Sequence, residues 1–120
     1  MINTPDFILI AHNQTRFLLP TEDILYVQAI RVYSIIHMRG SKQQYIVARN
    51  IGDINRQLDA EKFLRVHKSY IINAHEIKHC QLSKETKVIL NNDVVISVAQ
   101  RKKAMLVRHF TQLMTRPAGI

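Results

Sequence analysis

Cysteine is nearly missing from this chain: Cys80 stands alone among 120 residues, which rules out an internal disulfide and with it a secreted disulfide scaffold. Glycine is scarce, with three in all, too few to build a phosphate-cradling loop and also serve the turns. Neither a Walker A pattern nor G-x-S-x-G occurs. Tryptophan is absent and aromatic residues make up 7%, so few platforms exist on which single-stranded bases would stack. No apolar run approaches the roughly 18 residues of a membrane-spanning helix. The opening segment MINTPDFILIAHN has no basic stretch, a very short apolar run and no small-residue cleavage site. It does not read as a signal peptide, and the expected setting is the reducing cytosol.

Acid is the other scarcity. Nine Asp and Glu face seventeen Lys and Arg, a net charge of +8 and a pI near 10. A polyanionic partner is favoured, nucleic acid first and an anionic membrane surface second. Hydrophobic residues at 47% are ordinary for a globular protein, and the length suits one domain over residues 1–120. The surplus falls in three blocks. Residues 31–49 hold Arg31, Arg39, Lys42 and Arg49 with no acid (+4). Residues 65–80 hold Arg65, Lys68 and Lys78 against Glu76 (+2), and residues 101–120 hold Arg101, Lys102, Lys103, Arg108 and Arg116 (+5). Residues 81–100 are neutral. Three blocks short of compensating acid suggest one composite binding surface.

Short runs rich in Ile, Val, Tyr and Phe recur: Phe7–Ala11, Arg16–Leu19, Ile24–Ala29, Val32–Met38, Gln44–Ala48, Phe63–Val66, Tyr70–Ile72, Ile77–Leu82, Lys87–Leu90 and Val94–Ser97. Turn formers separate many of them, as at Asn13-Gln14 and Asn91-Asn92-Asp93. The pattern predicts a mainly β fold of about ten short strands in small antiparallel sheets. Two helices interrupt it. Asn50 followed three residues later by Asp53 resembles a cap, and Ile51, Ile54 and Leu58 share a helical face, so a short helix is expected over 51–58. Ser97 and Gln100 stand at capping-box spacing, and Leu106, Phe110, Leu113 and Met114 form a stripe. A terminal helix over 99–114, packed on the sheets, and a frayed tail over 115–120 are expected.

His75-Glu76-Ile77-Lys78-His79 matches the zinc-peptidase pattern H-E-x-x-H. That pattern works on a helix, where positions i and i+4 lie about 5–6 Å apart and share one Zn²⁺ while the Glu activates its water. In a strand the two histidines are separated by roughly 13 Å. The surrounding Tyr70-Ile71-Ile72 and Ile77–Leu82 read as strands, so a zinc peptidase is the weak alternative. Cys80 reads as a small packing residue. No motif calls for a metal or cofactor, and no enzymatic activity is expected.

Phe63-Leu64-Arg65-Val66-His67-Lys68-Ser69-Tyr70-Ile71-Ile72-Asn73 closely resembles the signature F-x-R-V/C-H-R/N-S-Y/F-I/V-I/V-N of the LytTR family, the DNA-binding output domains of many bacterial response regulators. Asp23-Ile24-Leu25-Tyr26-Val27-Gln28-Ala29 is similar to the family's D-I-x-Y-I/V-E-A, and Val94–Val98 to its last strands. The likeness covers about residues 7–110. Gln28 stands where the family usually has Glu, and Ala99-Gln100 where it commonly has Ser-Arg. The resemblance implies about ten strands in small sheets with little helix. It also implies sequence-specific binding of double-stranded DNA by sheet-edge loops laid in successive major grooves. Carried over by position, the loops are Ile30-Arg31-Val32, His67-Lys68-Ser69 and Gln100-Arg101-Lys102. Arg31 and Arg101 become candidates for bidentate contact with guanine, Lys68 for a base acceptor or a phosphate, Lys102 and Ser69 for phosphate, and His67 for a residue orienting the loop. The resemblance further implies a transcriptional regulator, direct-repeat sites occupied by a homodimer, and a sensor kinase acting through a receiver domain elsewhere. The remaining alternative is a single-strand or RNA-binding β domain.

Overall fold

Alternation of buried and exposed side chains decides where each strand sits. The computed structural model describes residues 6–40 and 43–115. Within them lie β1 (Phe7–His12), β2 (Thr15–Pro20), β3 (Ile24–Ile30), β4 (Tyr33–Met38), β5 (Gln44–Val47), α1 (Ile51–Gln57), β6 (Phe63–His67), β7 (Tyr70–Asn73), β8 (Ile77–Gln81), β9 (Lys87–Leu90), β10 (Val95–Ser97) and α2 (Lys103–Thr115). The strands form three antiparallel sheets: β1-β2, a five-stranded sheet in the order β5-β4-β3-β7-β6, and β10-β9-β8. The fold is mainly β, with the short internal helix where the sequence predicts it and a terminal helix after the last strand.

The five-stranded sheet is the middle layer. Its strands β3 and β7 are covered on both faces, which is why they read as unbroken apolar runs rather than as alternations. On β7, Ile71 packs into one core and its neighbour Ile72 into the other, both fully buried. Burying each contributes about 1.5–3 kcal/mol. The edge strand β5 alternates, with Tyr45 and Val47 inward and Gln44 and Ile46 outward. The first core joins this sheet to the β1-β2 hairpin and α1 through Ile8, Ile10, Val27, Ile36 and Ile54. The second joins it to the three-stranded sheet and α2 through Leu64, Val66, Val88, Leu90, Ile96 and Leu106.

Local chemistry closes these elements. Asn13 and Gln14 both take positive φ between the paired His12 and Thr15, the geometry of a two-residue hairpin turn that matches strand twist. The Asn50 side chain accepts a 2.8 Å hydrogen bond from the Asp53 amide and starts α1. Buried Asn73 donates to the Ile24 carbonyl (2.8 Å) and accepts from the His75 amide (3.0 Å).

The terminal helix departs from expectation at both ends. Ser97 is not its cap: Ser97 ends β10, paired with Lys87. The chain then makes a 3₁₀ turn, Gln100–Lys102, preceded by Ala99, before α2 begins at Lys103. Tertiary backbone bonds, Val98 N–H to Thr86 O (3.0 Å) and Ala99 N–H to Val66 O (2.8 Å), hold the entry in place of a side-chain cap. Leu106 and Phe110 pack on the second core as the stripe predicts, while Leu113 is 45% exposed. Thr115 is the last residue of α2 rather than the first of a tail, and 116–120 lie outside the described residues. No helix among the described residues is long and apolar enough to cross a membrane.

Candidate nucleic-acid interface

Strand direction brings three turns to one end of the molecule. β3 and β4 close through Ile30 paired with Tyr33, leaving Arg31 and Val32 as a two-residue turn. Arg31 takes φ 56, a left-handed conformation that costs an L-residue about 1–2 kcal/mol. The turn stands in solvent, Val32 being 68% exposed.

The second turn lies between β6 and β7, where His67 pairs with Tyr70 after a bulge. The Ser69 amide donates to His67 Nδ1 at 3.1 Å, so this ring nitrogen carries the lone pair and the ring's N–H is assigned to Nε2. From the other side the Arg65 guanidinium donates to the Lys68 carbonyl at 2.9 Å. The loop is therefore clamped by its own strand, and the Lys68 side chain is left exposed. Arg65 was visible in the sequence only as a motif position and a charge. Its part in holding the turn follows from the bulge, which no local pattern announces.

The third element is the 3₁₀ turn Gln100–Lys102. The first turn of α2 holds no acid, and the preceding turn supplies Arg101 and Lys102. This is the reverse of what the helix dipole favours.

Backbone hydrogen bonds stitch the three together. Ala29 N–H donates to Ser69 O at 2.9 Å, joining the first turn to the second, and Ala99 N–H to Val66 O joins the third to the second. Arg31, His67, Lys68, Ser69, Arg101 and Lys102 are thus carried on one continuous edge. Among the described residues, the bases with carboxylate partners are Arg39, Arg56, Lys62, Lys78 and Lys87, and none belongs to these turns. Arg31, Lys68, Arg101 and Lys102 have no ion-pair partner there.

The charge blocks of the sequence need correction at this point. The block 31–49 is not one surface. β4 carries the chain roughly 20 Å from the Arg31 turn to the opposite end of the sheet. There Arg39 meets Asp23 at 3.1 Å and Glu76 at 3.9 Å, and its charge is largely compensated. Lys42 lies outside the described residues.

The H-E-x-x-H letters also fall differently from a peptidase helix. His75 and Glu76 occupy a 3₁₀ turn, Ala74–Glu76, and His79 lies in β8. The break at Ile77 denies the two histidines a shared helical face, and no group of three His, Cys, Asp or Glu able to hold a metal gathers among the described residues. Cys80 is half-buried against the second core, and burial pushes its thiol up.

The family model of the LytTr DNA-binding domain matches residues 14–111. A search of curated proteins finds no match. Among solved structures, a LytTr DNA-binding domain from Bacillus cereus superimposes with a TM-score of 0.75 at 14% identity, covering 89% of this chain and 98% of that one. At such identity the structural likeness speaks for the fold, whereas the family match extends over most of the chain and spans all three turns. The chain belongs to the LytTR family of DNA-binding domains.

Proposed function

We propose that this domain binds duplex DNA sequence-specifically by laying its three stitched turns into successive major grooves on one side of the helix, as the output part of a transcriptional regulator. The observation that supports it is the pair of backbone bonds, Ala29 to Ser69 and Ala99 to Val66, which align turns whose cations have no ion-pair partner among the described residues. Arg31 and Arg101 each offer a planar fork to guanine O6 and N7, worth about 1–3 kcal/mol of discrimination. Lys68 meets a base acceptor or a phosphate, Lys102 and Ser69 meet phosphate, and His67 orients the second turn. Two copies on a direct repeat act as a DNA-dependent homodimer, and the regulating signal arrives from a sensor kinase through a receiver domain. No catalytic step belongs to this role.

In-vitro selection of duplex sites, followed by gel shift of the selected duplex and of its separated strands, tests the reading. Preference for the duplex is expected. Equal binding to single strands overturns it in favour of a single-strand or RNA binder.

A further inference from the structure

We infer that the Ser83–Lys87 turn adds a fourth contact to this edge: Lys84, Lys87 and Lys103 form a cleft that seats a phosphate of the DNA backbone beyond the three turns. The inference rests on the duplex reading above and extends it to a segment whose sequence is electrically neutral.

Tertiary structure creates the cleft. Lys87 opens β9 and pairs with Ser97 at the end of β10, and Val98 N–H donates to Thr86 O. The Ser83–Lys87 turn is thereby fixed beside the 3₁₀ turn that follows β10. It is also closed internally: Thr86 Oγ1 donates to Ser83 O (3.2 Å), Ser83 Oγ donates to Glu85 O (3.1 Å), and Thr86 is buried. The resulting cleft has a volume of about 440 Å³ and is lined by Lys84, Lys87, Lys103, Ser97 and Gln100, with Glu85 as its acid.

Two observations make it a site for the DNA backbone. Gln100 both lines the cleft and begins the third turn, so a duplex lying on that turn runs past the cleft. The charge is also uncompensated. Glu85 is 3.9 Å from Lys87, and its side chain is 84% exposed, so that pair is weak; Lys84 and Lys103 have no ion-pair partner among the described residues. Three cations around one solvated acid suit a mobile, strongly hydrated anion carried by a polymer already held nearby. Lysine serves such a contact as a point charge without reading sequence.

The test is the salt dependence of duplex binding by the whole chain, measured on a selected duplex and on a scrambled one. Variants are the double Lys84→Gln/Lys87→Gln, the single Glu85→Gln, and the control double Lys62→Gln/Lys78→Gln. The control removes the same charge from lysines paired with Asp6 and Asp93, outside the cleft. Loss of one phosphate contact makes the slope of log K against log salt shallower by about 0.9, a roughly eightfold loss of affinity at 0.1 M salt, alike on both duplexes. Glu85→Gln is expected to bind several-fold more tightly, a gain that misfolding cannot mimic, and the control is expected to lose less than twofold. If the wild type binds duplex while the cleft variants keep its slope and affinity, or the control loses as much as the cleft double, the fourth contact is overturned. A wild-type chain that binds no duplex overturns the underlying reading itself.

Discussion

The imidazole of His37 lies flat on the ring of Tyr26, with centroids 4.1 Å apart and planes 10° apart, and its Nε2 is 3.1 Å from the Gln28 amide oxygen. The two rings are cross-strand partners on β3 and β4, towards the end of the sheet remote from the Arg31 turn. Burial lowers the His37 pKa from its ordinary value. Burial first, and the charge of Tyr70 second, raise that of Tyr26. The unfolded chain therefore takes up a proton at His37 more readily than the folded chain does, so stability falls as pH drops below about 6.5. Tm measured between pH 5 and 8 should decline on the acid side, and His37→Phe, which keeps the stack, should flatten that decline. An equal decline in the variant would assign the effect to other groups.

Gln28→Glu restores the residue usual in the family and should invert the sign. A carboxylate in place of the Gln28 amide stabilises the charged imidazole against the burial that disfavours it, and is expected to lift the His37 pKa above its unfolded value. The added stability is then fully present below the unfolded pKa and lost as pH rises through the raised one. The His37 ring protons, followed by NMR, should titrate at higher pH than in the wild type.

Arg31 combines a strained backbone with an exposed side chain, so fold and binding should separate there. Arg31→Gly accepts the positive φ and should be about 1 kcal/mol more stable than Arg31→Ala, which does not. Both should lose discrimination between selected and scrambled duplexes. Urea denaturation and competition gel shifts read the two effects independently.

Lys102→Ala should weaken binding to every duplex alike. With about five phosphates neutralised, log K is expected to fall with log salt at a slope near −4.5, shallower by about 0.9 in the variant. A wild-type slope near zero would sink the electrostatic account.

Asn73→Ala removes one buried side-chain amide and leaves both of its backbone partners unpaired. The Ile24 carbonyl and the His75 amide lose their bonds to it, and the cost should be roughly 2 kcal/mol in urea denaturation with an unchanged m-value. The variant should retain duplex binding at temperatures where it is folded, because Asn73 lies at the end of β7 away from the turns.

Strand positions were legible because hydrophobic alternation and turn chemistry are local. Ile24–Ala29 and Tyr70–Ile72 read as strands, and Asn50 with Asp53 read as a helix start, without knowledge of what they pack against. Ser97 shows the boundary of that reading: its spacing to Gln100 fits a cap, but pairing with Lys87 across β10 and β9 claims it for a strand. Around His67 the motif's residues lie on β6, β7 and the turn between them, where the Ser69 amide donates to the His67 ring.

Composition and local pattern by themselves determined a basic, mainly β domain suited to a polyanionic partner, and the motif resemblance named its family. Only the tertiary structure decided which charges share a surface. Arg31 and Arg39 are eight residues apart in one basic block, yet a six-residue strand sends them to opposite ends and delivers Arg39 to Asp23 and Glu76. Lys84 and Lys87 lie in a neutral stretch, yet the pairing of β9 with β10 sets them beside the third turn. The reason is range. Alternation acts between side chains two residues apart, whereas charge pairing acts through space between strands whose partners are chosen by the packing of the whole core.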